Sequence, residues 1–148
     1  MVTETKTYLD FDGNERTEDF YFNLMPSEMY EMQYSQNGGL ASLLEKISKE
    51  NDQTKIVEFF KGLVLKAYGV KSLDGRVLMK SDELRKEFEC TMAYSEIFMD
   101  LATNAKKAAA FVNGIMPPKE IMDKYVERMK AAKEEAAKEE TNVVSVNK

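Results

Sequence analysis

The chain has no histidine and a single cysteine, Cys90. One thiol cannot form an internal disulfide, which suits a reducing compartment. Without histidine, Ser-His and Cys-His catalysis and the common structural zinc sites are excluded. Cys90 has no histidine to activate it and reads as an ordinary, partly buried thiol. No phosphate-binding glycine loop and no nucleophile elbow occurs. No apolar run approaches a membrane span; the longest candidate, "IVEFFKGLVLKAYGV", contains Glu58, Lys61 and Lys66. The opening "MVTETKTYLD" lacks a basic start followed by an apolar stretch, so a signal peptide is not expected.

What remains fits one soluble interaction protein. The 148 residues match a single domain, with 43% hydrophobic and 32% charged residues. The net charge of −5 argues against nucleic acid, because phosphate binding needs a surplus of Lys and Arg. No cofactor or metal is called for. "DFDGNERTEDFY" places Asp10, Asp12 and Asn14 at the first, third and fifth positions of a calcium loop. However, Glu15 stands where the loop needs glycine, and Tyr21 where it needs a bidentate glutamate. The same residues read better as a hairpin, since Asp12-Gly13 is a strong two-residue turn signal. That turn pairs Phe11 with Asn14, Leu9 with Arg16 and Lys6 with Asp19. It puts Leu9, Phe11, Phe20, Phe22 and Leu24 on the inner face, with Tyr8, Asp10, Thr17, Asp19, Tyr21 and Asn23 outside.

Helices follow. Pro26 suits a first helical position, and Glu28 lies in the favoured first turn. "SQNGGL" breaks the chain, and a helix over about 40–50 carries Leu40, Leu43, Leu44 and Ile47. Asp52 caps a helix over 53–68 that is apolar around most of its circumference, hence expected at the centre of the domain. The inner face of the hairpin should pack on it near Phe59, Phe60 and Leu63. Gly69 is its expected stop. Asp74-Gly75 marks a second tight turn with two short strands. Ser81 starts the next helix, which bends near Thr91, restarts at Thr103 and ends at Gly114. Glu87, Glu89, Glu96 and Asp100 read as a solvated face rather than an acid–base or metal cluster. Pro117 and Pro118 forbid continuation. Beyond them, Ile121, Met122, Tyr125, Val126 and Met129 form an apolar stripe on a helix of high propensity. The fold is therefore expected to be α+β and mostly α: an N-terminal β-hairpin, five or six helices, and a projecting last helix. Residues 1–116 form the main domain, 117–140 the amphipathic helix and 141–148 a flexible tail.

The ten methionines bear on function, since methionine fills irregular gaps and also serves adaptable binding surfaces. Met25, Met29 and Met32 share one helical stripe, for which core filling against the hairpin is favoured over a partner groove. The stripe after the prolines can dock on its own domain, on a second copy or on another protein. Candidate partner contacts are Tyr21, Met29, Met32, Tyr125 and Met129.

The ordered blocks "ERTEDFYFNL", "NGGL", "LVLKAYGVKSLDGRVLMKSDELRKEFE" and "AYSEIFMDLATNAKKAAAFVNGIMP" resemble the tail assembly chaperones of long-tailed bacteriophages and prophages of Gram-positive bacteria, over about residues 8–117. The resemblance implies a non-enzymatic factor of the host cytoplasm, absent from the mature virion. Its implied partners are the tape-measure protein, which it keeps soluble, and the tail-tube protein, which it helps recruit. A longer product made by frameshifting is often found with such proteins. Two departures stand out: Met25 precedes Pro26 where a polar cap is usual, and the segment after Pro118 follows no fixed pattern. A minor structural tail or connector protein, or a small host-directed interaction protein, is the alternative reading.

Overall fold

A computed structural model describes residues 1–35 and 53–146. The predicted helix over 40–50, the Gly38-Gly39 break and the Asp52 cap lie outside the described residues. Two compact units are present, Met1–Met116 and Pro117–Lys148.

The first unit starts with strands β1 (Val2–Leu9) and β2 (Glu15–Phe22), paired antiparallel from Val2↔Phe22 to Leu9↔Glu15. This register differs by one residue from the expected one, because the turn has three residues in its loop rather than two. The Asp10 N–H donates to the Asn14 carbonyl at 2.9 Å, and Gly13 takes φ +82°, the left-handed conformation that closes a three-residue loop. Asp10 drives that choice. Its carboxylate accepts the N–H groups of Asp12 and Asn14 at 3.0 and 2.9 Å, and Arg16 Nε at 2.8 Å. A one-residue slip turns every side chain of β1 to the other face. Tyr8 is therefore buried, while Leu9 and Phe11, expected inside, are 59% and 79% exposed. On β2 the expectation holds: Phe20, Phe22 and the following Leu24 are buried.

Two further strands extend the hairpin into a four-stranded antiparallel sheet of order β1-β2-β3-β4. Helix α2 (Gln53–Ala67) runs directly into β3 (Tyr68–Lys71), which pairs with β2 through Phe22↔Tyr68 and Tyr21↔Gly69. Gly69 is thus not a helix stop but a strand residue: a Cβ there would lie 2.6 Å from Leu78 Cγ. The Asp74-Gly75 turn, with Gly75 at φ +75°, leads to β4 (Leu78–Met79) as expected.

Helix α1 (Pro26–Ser35) begins where the proline predicts, despite Met25 at the cap position. Glu28 compensates by accepting the Met25 N–H at 3.0 Å, the return half of a capping box. Between β2 and α1, the N–H groups of Asn23 and Leu24 donate to the carbonyls of Ala67 and Ile115, both at 2.9 Å. These bonds tie the end of the sheet to the ends of two helices. Helix α3 (Asp82–Glu89) starts on Ser81, whose hydroxyl accepts the Leu84 N–H at 3.1 Å. The expected bend is a true break: Thr91 caps α4 (Met92–Thr103) by accepting the Tyr94 N–H. The restart falls one residue later than expected. Asn104 caps α5 (Ala105–Ile115), while the Thr103 hydroxyl bonds back to Met99. Gly114 lies inside α5, close against Val2.

The core forms where β2 meets α2, α3, α4 and α5. Phe88 is its hub: Tyr68 stacks on it at 4.1 Å, and Phe20, Phe22 and Tyr94 surround it at 5.4–5.8 Å. Phe111 meets Phe22 edge-on at 5.3 Å. Burying each such ring stabilises the fold by about 2–3 kcal/mol, beyond which favourable ring geometry adds about 1 kcal/mol. From α2 the core takes Leu63, Val64 and Ala67, while Phe59 packs at its edge. The hairpin therefore packs on the C-terminal half of α2 and more broadly on α3 to α5.

The second unit holds one 28-residue helix, α6 (Lys119–Val146), starting just beyond Pro118. It runs past 140, where the flexible tail was expected to begin. The described residues hold six helices and four strands, an α+β fold that is mostly α.

Candidate functional site

Helix α2 has more apolar surface than the core can cover. Its C-terminal half is buried, yet Val57 is 45% exposed, and Ile56 and Phe60 are only partly covered. The wide apolar circumference placed this helix at the centre of the domain; its C-terminal half does join the core, while the surplus forms one wall of a groove. The opposite walls come from the end of α4, with Phe98, Leu101 and Ala102, and from α5, with Ala105, Ala108, Ala109 and Val112. Asn104 ends one helix and begins the next, so the two walls meet at a corner. The run "KAAAFV" lines its wall with small side chains, which leaves an open volume of about 670 Å³.

Among the described residues, no ionisable side chain lines this groove. Its polar members are Gln53, Thr103 and Asn113, and the Thr103 hydroxyl is already committed to the Met99 carbonyl at 2.6 Å. The described surface offers apolar contact to another molecule. Pockets of this size usually combine apolar walls with a few orienting polar groups.

Ionisable groups gather elsewhere and are paired with one another. On the inner face of β1, Lys6 is ion-paired with Asp100 of α4, and Lys107 approaches the same carboxylate at 3.9 Å. The hydrogen bond from Lys6 holds the Asp100 carboxyl below its ordinary 3.8. Glu89 is lowered likewise by Lys61, 3.0 Å away. These two carboxylates, expected on a solvated face, are thus surface members of ion pairs joining α4 to β1 and α3 to α2. Cys90, expected to be partly buried, is exposed at the end of α3.

The structure separates the five candidate contacts. Met32 is 9% exposed and belongs to the core cluster, and Met29 packs against that cluster. These two fill the interior, but Met25, placed on the same stripe and expected to fill the core with them, is 50% exposed just before the helix starts. Tyr21 is half-buried on the outer sheet face, with Lys71 Nζ 4.8 Å from its ring centroid. Tyr125 and Met129 lie on α6; Tyr125 is 38% exposed and Met129 partly so. Sequence reasoning missed the groove of α2, α4 and α5. The signal was present in "IVEFF" and "AAAFV", two helices each more apolar than one buried face requires.

The family model for phage tail assembly chaperones matches residues 1–148. No curated protein and no solved structure matches the chain. With the whole length covered, the chain belongs to the phage tail assembly chaperone family.

Proposed function

Proceeding from that membership, we propose that the chain is a non-enzymatic chaperone acting in the host cytoplasm: it binds an apolar helical segment of the tape-measure protein, keeps that protein soluble and helps recruit tail-tube subunits around it. The observation that carries this reading is the groove between α2, α4 and α5, whose described lining is apolar apart from Gln53, Thr103 and Asn113. A long helical protein awaiting its sheath exposes apolar stripes, and an apolar groove walled by helices accepts such a stripe with few polar groups to desolvate. The net charge of −5 keeps the carrier dispersed. The Ala-lined wall contributes little area per contact, which favours binding weak enough to be reversed during assembly.

The test is coexpression with the tape-measure protein. Wild-type chain is expected to raise the soluble fraction of that protein several-fold. Val57→Glu, at an exposed position of the groove, is expected to abolish the gain while circular dichroism stays unchanged. Equal soluble recovery without the chain would refute the holding role. Undiminished activity of folded Val57→Glu would refute the groove as its site.

A further inference from the structure

The apolar stripe of α6 carries a second partner-binding surface, and its own sequence indicates the occupant. Met122, Tyr125, Met129, Ala132 and Ala136 recur at alternating spacings of three and four, the seam of a helix that pairs with another helix. Tyr125, Ala132 and Ala136 are exposed, and Met122 and Met129 partly so. The seam is graded, with large residues in its first half and alanines in its second. Arg128 and Glu135 flank it on one side and Val126 and Lys133 on the other.

From this grading we infer that α6 pairs antiparallel with α6 of a second copy of the chain. Antiparallel, Met129 sits over Ala132 of the other copy and Tyr125 over Ala136, so these two large side chains each meet a small one, while Met122 at the end of the seam lies opposite Glu139. Arg128 then faces Glu135 of the other copy, and the dyad repeats every contact. Arg128 is already on the seam side, its guanidinium 5.6 Å from the centroid of the Tyr125 ring. The parallel arrangement fails on both counts. It sets tyrosine against tyrosine and alanine against alanine, leaving gaps. It also brings Arg128 toward Lys133, a like-charge contact. From Met122 to Ala136 the seam spans roughly 21 Å at 1.5 Å per residue, enough for reversible association rather than a permanent dimer.

Sedimentation equilibrium of the full chain over a concentration series tests this pairing. A monomer–dimer equilibrium is expected. Arg128→Glu sets Glu against Glu twice and should weaken the dimer about tenfold; Glu135→Arg should do the same, and the double exchange should restore wild-type affinity. Tyr125→Glu should leave only monomer, with helicity retained because glutamate favours helices. A strictly monomeric wild type, or an unchanged dimer in Arg128→Glu, would overturn the pairing. Tighter association of Arg128→Glu would also overturn it, since only the parallel arrangement places residue 128 against Lys133.

Discussion

Replacing Lys80 with methionine should cost about 3 kcal/mol of stability. Lys80 lies between β4 and α3 and reaches across to the start of α1. Its ammonium donates to the Asn23 carbonyl at 2.6 Å and to the two Glu28 carboxylate oxygens at 2.8 and 2.7 Å. The two side chains are 10% and 13% exposed. Methionine matches the length and apolar stem of lysine but leaves the Glu28 carboxylate and the Asn23 carbonyl without that donor. Removing one partner of a buried pair costs about 3–5 kcal/mol, and the residual exposure of this pair places it at the lower end. Glu28→Gln alone should cost about 2 kcal/mol, because the amide oxygen still accepts from the Met25 N–H but no longer neutralises the ammonium. In the double variant neither charge is stranded, so the loss should stay near 3 kcal/mol rather than the sum of about 5, a coupling of about 2 kcal/mol.

Urea unfolding followed by tyrosine fluorescence gives these values directly, since the chain has no tryptophan. There is also a pH signature. Desolvation lowers the Lys80 pKa below its ordinary 10.5, although Glu28 works in the opposite direction. Between the lowered folded value and 10.5 the unfolded chain binds more protons than the folded one, so rising pH favours folding of the wild type through this group. The tyrosines Tyr8, Tyr68 and Tyr94, raised by burial, are common to both proteins and cancel in the difference. The gap between wild type and Lys80→Met should therefore widen as pH climbs through that window. A Lys80→Met variant within about 0.5 kcal/mol of wild type, or strict additivity in the cycle, would refute the reasoning.

Gly13→Ala should destabilise the fold by about 1 kcal/mol, because φ +82° strains any residue with a Cβ even though nothing crowds that position; Gly13→Asn should recover part of the loss, read as a shift of the urea midpoint. In acid, Asp10, lowered chiefly by its hydrogen bond with Arg16, and Asp100 and Glu89, lowered by Lys6 and Lys61, contribute stability that is present above their ordinary values of 3.8, 3.8 and 4.5 and lost as pH falls through the depressed folded values. A midpoint that stays level down to about pH 5 and then drops is expected, with a shallower drop in Asp100→Asn.

Much of the local structure was legible because it rests on short-range chemistry. Pro26 and Ser81 mark helix starts, the two Asp-Gly pairs mark turns, and Pro117-Pro118 separates α6 from the preceding helix. Each of these signals acts within a few residues and needs no partner. The inward alternation of Phe20 and Phe22, and the core role of Met29 and Met32, could be inferred because period and composition set a face.

Choices between competing short-range contacts, and position relative to distant residues, were not legible. Whether the first turn holds two or three loop residues depends on how the Asp10 carboxylate chooses among the N–H groups of Asp12 and Asn14 and Arg16, and that choice turned Tyr8 inward and Leu9 outward. The joining of β3 to β2, the demand for glycine at 69, and the meeting of five aromatic rings at Phe88 depend on contacts across dozens of residues. The groove belongs to the same class. Residue order made α2 and α5 apolar, but hydrophobicity has no direction. Only packing decided which apolar side chains met a partner and which were left facing outward.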